Sequence, residues 1–162
     1  MATGADIIDK ACKKLLSGIP KLSDPLKELL PNIQSVTEGD STEEEREDVA
    51  RVLAIGFFTT QAARCLPLIA ETMKALAKLP PATPPSAKIQ RKWLEDINKK
   101  LRALQSKTFP ELEVNVSTFY TVPEPASKIS ALASIVAKLP TLIADFVVME
   151  VNLLKIKKAL RK

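Results

Sequence analysis

Ile143-Ala144-Asp145-Phe146-Val147-Val148-Met149-Glu150-Val151-Asn152-Leu153-Leu154 is the stretch on which the fold turns. Its apolar side chains are too many for one stripe of an amphipathic helix, which occupies little more than ~100° of the helix circumference. A helix without a polar face sits in the middle of a bundle or touches lipid or another chain. The same excess runs outward through Ile129 to Leu160 and recurs earlier, from Val49 to Leu79. Two such segments demand something to cover their second faces.

The rest of the composition agrees with helix. Of 162 residues, 46% are hydrophobic and 27% charged, with four glycines and 4% aromatics, which suits one domain over residues 1–162 with a real core. Abundant Ala, Leu, Lys and Glu favour helix over sheet because unbranched side chains lose little rotamer freedom there. The expected fold is all-α: a kinked helical bundle of four main helical units, with one extended connector near 109–122. In that connector Leu112, Val114 and Val116 alternate with Glu113, Asn115 and Ser117, a period of two that predicts a strand or extended chain.

Punctuation places the four units. Pro20, Pro25 and Pro31 predict several short helices between Ala5 and Val36, since proline removes a donor and clashes one turn back. Asp24-Pro25 reads as a fresh start within that unit. The acidic run Thr37–Asp48 holds Ser41 with Glu44 and Thr42 with Glu45, both spaced as a capping box, so it opens the second unit. Gly56 and Pro67 are irregularities inside that unit. Residues 80–85, rich in proline, form a stiff linker, and Ile89, Trp93, Ile97, Leu101 and Leu104 define the seam of the third helix. The fourth unit starts after Pro123-Glu124-Pro125 and follows Leu132, Val136 and Leu139 through Ile143 and Phe146.

Catalysis has little to stand on. The chain contains no histidine, which removes the usual general base together with Ser-His, Cys-His and most zinc arrangements. Four scattered glycines make no phosphate-binding loop. Cys12 and Cys65, far apart in sequence, read as buried free thiols, and neither a metal nor a cofactor is expected. The protein is therefore read as a non-enzyme.

Charge is uneven. Residues 1–81 carry 10 basic and 12 acidic side chains, whereas residues 82–162 carry 14 and 7, with Lys155, Lys157, Lys158, Arg161 and Lys162 closing the chain. Those five are candidates for contact with an anionic surface. Nucleic acid is not favoured, because Trp93 lies on an apolar seam and no aromatic groups interleave with the basic ones. Arg64 cuts one apolar run, and Asp145 and Glu150 cut the other, so no bilayer span of roughly 18 to 20 residues is expected. Asp6 and Asp9 stand where a secretory signal needs an apolar core. Cytoplasmic residence, extending to peripheral membrane attachment, follows as the expectation.

The functional reading is interaction through surface. Such a bundle presents apolar helix surface to a partner protein or to itself, and the large groups Phe57, Phe58, Phe146 and Met149 are its candidate contact residues. The alternative is a lipid-binding or membrane-active bundle, including a pore former, drawn to anionic membranes by the basic C-terminus.

Overall fold

The computed structural model describes the backbone of residues 4–37, 42–78 and 85–160, and side chains over 6–37, 42–78 and 90–159. Among the described residues it is all-helical, without strands, and its helices join into four rods. The first is α1 (Gly4–Thr37); α2 (Glu43–Val52) and α3 (Phe57–Lys78) form the second; α4 (Pro85–Ala103) and α5 (Phe109–Thr121) form the third; and α6 (Pro125–Leu160) is the fourth. The rod α1 packs on α6 and α3, while the α4–α5 rod packs on α3 and α6 from the opposite side. α3 and α6 thus lie at diagonal corners.

α1 is one helix rather than several, which corrects the expectation from its three prolines. The reason is burial. Ile8, Cys12, Leu15, Ile19, Leu22, Leu26, Leu29, Ile33 and Val36 are all interior, at alternating spacings of four and three. At roughly 1.5–3 kcal/mol for each large apolar side chain, that row outweighs about 3 kcal/mol for each interior proline. The prolines lie off this row, and the carbonyl freed by Pro25 finds a partner on α3. Lys21 O, which has lost the Pro25 N–H, accepts from Arg64 Nη1 at 3.4 Å, and the neighbouring Leu22 O accepts from the buried Gln61 Nε2 at 2.7 Å.

The expected extended connector is also corrected: 109–121 is helical. Leu112 and Val116 fit either a period of two or a helical turn, so alternation alone could not decide between them. Phe109 and Phe119 decide it, because with Leu112 and Val116 they form one buried helical row, leaving Val114 65% exposed. A lone strand would orphan its backbone groups, whereas a helix satisfies them internally. A π-helical turn at Leu104–Thr108, closed by Phe109 N–H to Leu104 O, joins α4 to α5 and brings in Pro110 at the start of the new segment.

Gly56 lies between helices, not inside one. Its φ of +89° belongs to the left-handed region that side chains with a Cβ resist, and it turns the chain from α2 into α3. α5 holds both sides of that joint. Tyr120 Oη lies 3.0 Å from Ala50 O and 2.6 Å from Leu53 O, sharing its proton with the end of α2. Glu113 takes the other side: its carboxylate accepts from the N–H groups of Gly56 (3.0 Å), Phe58 (3.0 Å) and Thr59 (3.3 Å). Seven residues apart, the two side chains share one face of α5. Burial raises the Tyr120 phenol above its ordinary value, consistent with a hydroxyl that donates to carbonyls.

Local sequence accounts for the remaining ends. Thr42 caps α2 by accepting from Glu45 N–H at 3.1 Å, with Glu43, Glu44 and Glu45 in the first turn as the helix dipole favours. Ser41 and residues 80–84 of the proline linker lie outside the described residues, and Pro85 opens α4. Lys128 Nζ donates to Phe119 O at 2.6 Å and sits 5.2 Å from the Phe119 ring centroid, tying the end of α5 to α6. In α4 the buried row is Leu94, Ile97 and Leu101, with Trp93 half-buried beside it.

Candidate functional site

Three of the four residues singled out for partner contact are interior. Phe58 and Phe146 are fully buried and Met149 is 1% exposed, while Phe57 is half-buried against the same core. Phe58 stacks on Phe109 at 6.1 Å and meets Phe57 edge-on at 5.0 Å, fixing α3 to α5. In this state Phe58, Phe146 and Met149 hold the bundle together and present nothing to a partner. Size and apolarity marked these residues, but both qualities serve a core as well as an interface.

The apolar surplus on α6 nevertheless exists, one stripe further round. Leu132, Ile135, Leu139, Leu142, Phe146, Met149, Leu153 and Ile156 face inward at alternating spacings of three and four. Outside, Ala133, Ala137, Pro140, Ala144, Val147, Val151 and Leu154 form a second row at spacings of four and three, every member exposed. Val147, Val148, Val151 and Leu154 are 48%, 45%, 42% and 57% exposed. No charged residue interrupts this row until Lys158. A smaller counterpart runs along α3 through Ala63, Leu66, Ala70, Met73 and Ala77, all exposed. These residues were visible in the sequence as parts of all-round apolar helices; which stripe would stay outside was not.

The rods also sort charge by end. Lys14 Nζ meets Glu71 Oε1 at 3.2 Å and Lys21 O meets Arg64, so α1 and α3 are antiparallel. Lys157 lies close enough to Cys12 for its charge to act on the thiol, which brings the end of α6 to the start of α1. Exposed Lys10, Lys13, Lys14, Lys74, Lys78, Lys155 and Lys158 therefore gather at one end of the bundle, with Lys157 half-buried among them. Arg161 and Lys162 lie outside the described residues. The opposite end carries α2, where Glu43, Glu44, Glu45, Glu47 and Asp48 outnumber Arg46 and Arg51.

The two thiols are enclosed. Cys12 and Cys65 are free and buried, and each thiol is pushed up to about 12, Cys12 by burial and then Asp9, with Lys157 opposing, and Cys65 by burial. A neutral, enclosed thiol is a poor nucleophile. Among the described residues, no group of His, Cys, Asp and Glu side chains is placed to hold a metal ion.

Two stretches bear on the expectation that no segment spans a bilayer. The continuous stretch Glu43–Lys78 and the helix over Pro125–Ala159 are both long and apolar enough to cross a bilayer, by length and composition alone. Asp145 and Glu150 do not prevent this in α6, because an 18-residue window that ends before Glu150, such as 132–149, holds only Lys138 and Asp145 as charges and is apolar on average. Glu43–Lys78 is broken in the middle by the turn at Gly56. No family model, curated protein or solved structure matches the chain.

Proposed function

We propose that the protein acts without catalysis, by presenting the outer stripe of α6 to an apolar helix of another protein or of a second copy of itself. The uncharged exposed row from Ala133 to Leu154 carries this reading. Its alternating spacing of four and three is that of a helix–helix seam, where side chains of one helix enter holes on the next. Its small residues toward the N-terminal half allow close approach, and its valines and leucine supply apolar area. Truncating such groups costs little stability in the free protein because they are already in water.

Sedimentation over a wide concentration range tests this, with light scattering for mass. The wild type is expected to form a defined oligomer or a stoichiometric complex, and Val151→Lys or Leu154→Asp to abolish it while leaving the helical content and unfolding midpoint of the monomer intact. A monodisperse monomer that makes no complex, or variants that associate as the wild type does, would overturn the proposal.

The basic end favours a second reading, attachment to anionic membranes. Lysines around an apolar helix are what interfacial binding uses, each contributing on the order of 1 kcal/mol near anionic lipid. Flotation with vesicles of phosphatidylserine and phosphatidylcholine, reversed by salt and lost in a Lys155→Glu, Lys158→Glu variant, is the expected result under this reading. Protein that stays in solution at low salt refutes it.

A further inference from the structure

We infer that the cleft between the first turns of α1 and the last turns of α3 binds a single-chain amphiphile with an anionic head group. The two helices touch where Gly18 meets Leu68: a methyl group at Gly18 would collide with Leu68 Cδ2. Toward the basic end they leave a cleft of about 340 Å³, within the usual range for small-molecule sites of roughly 300–1,000 Å³. The floor is apolar and low, because Ala11 and Ala75 are both buried and small, with the half-buried Ile7 beside them.

The rim is cationic. Lys10, Lys14, Lys74 and Lys78 line it against Asp6 and Glu71. Lys14 is engaged by Glu71 at 3.2 Å, whereas Lys10, Lys74 and Lys78 form no ion pair with a carboxylate among the described residues. An apolar floor under surplus positive charge complements a hydrocarbon tail with a carboxylate or phosphate head. A free anion leaves the floor in water, and a neutral amphiphile leaves the lysines unanswered. This cleft is separate from the outer row of α6, so the inference stands independently of the contact reading.

Titration calorimetry of the full chain with dodecyl phosphate below its micelle concentration provides the test, with inorganic phosphate and a neutral dodecyl detergent as comparators. Saturable binding of one dodecyl phosphate per chain is expected, weakened at least tenfold in Lys74→Glu, Lys78→Glu and also in Ile7→Asp. Both comparators should bind at least tenfold more weakly. Because Lys74 and Lys78 are exposed, the charge-reversal variant keeps its fold, which circular dichroism checks. Equal binding of the neutral detergent, equal binding of inorganic phosphate, absence of binding, or unchanged affinity in the charge-reversal variant would each overturn the inference.

Discussion

Replacing Glu113 should damage this protein far more than replacing Glu111, two residues earlier on the same helix. Glu111 makes one exposed ion pair with Lys138 at 3.3 Å, a type of contact worth at most about 1 kcal/mol. The Glu113 carboxylate instead accepts three backbone N–H groups at the turn into α3, at 3.0, 3.0 and 3.3 Å. It serves α3 as a cap supplied from another helix. Losing an N-terminal cap costs about 0.5–2 kcal/mol, and losing a negative charge at a helix N-terminus about 0.3–1 kcal/mol. Together the two ranges span about 0.8–3 kcal/mol, and with Glu113 half-buried, so that its charge is only partly screened, Glu113→Ala should fall near the middle, at about 1.5–2 kcal/mol. Glu113→Gln keeps an acceptor oxygen and should cost about 1 kcal/mol or less. For a chain of this size, with roughly 2–4 °C per kcal/mol, Tm falls by about 3–8 °C in the alanine variant. Urea unfolding followed by circular dichroism measures both variants against Glu111→Ala. If Glu113→Ala lies within about 0.3 kcal/mol of Glu111→Ala, the remote cap contributes nothing and the account of the α2–α3 joint fails.

Two further perturbations probe the packing. Cys12 and Cys65 should resist a thiol reagent at pH 8 in the native protein and both react in denaturant, since burial holds each at about 12 against an ordinary 9.0. The folded state therefore holds these protons more tightly, so their contribution to stability is present below pH 9 and is lost as pH rises toward 12; unfolding midpoints measured across that window should fall. Gly18→Ala should change stability by no more than about 2 kcal/mol, because displacing the end of Leu68 opposes the ~1 kcal/mol that alanine gains over glycine inside a helix, and in a Leu68→Ala background the same change should become stabilising, which a double-mutant cycle reads directly.

Two departures from the sequence reading, in α1 and in α5, share one physical origin. Prolines at 20, 25 and 31 and the alternation at 112, 114 and 116 are local signals, and each lost to burial of a longer row: Ile8 through Val36 in α1, and Phe109 through Phe119 in α5. Local preference amounts to a few kcal/mol, while a row of buried side chains amounts to many. Thr42, the cap spelled out by Glu45 three residues on, stood because no tertiary contact competes with it.

The chain alone determined that the protein is helical, that it has four units, and that α6 is apolar on more than one side, because these follow from residue spacing within a few turns. Tertiary structure decided which side of α6 remained in water. The row with Phe146 and Met149 and the row with Val147 and Val151 are both apolar at helical spacing, and only the shapes of α1 and α5 choose between them. The antiparallel course of the rods likewise brings lysines from α1, α3 and α6 to one end, a concentration of charge that residues so distant in sequence acquire only once the chain has folded.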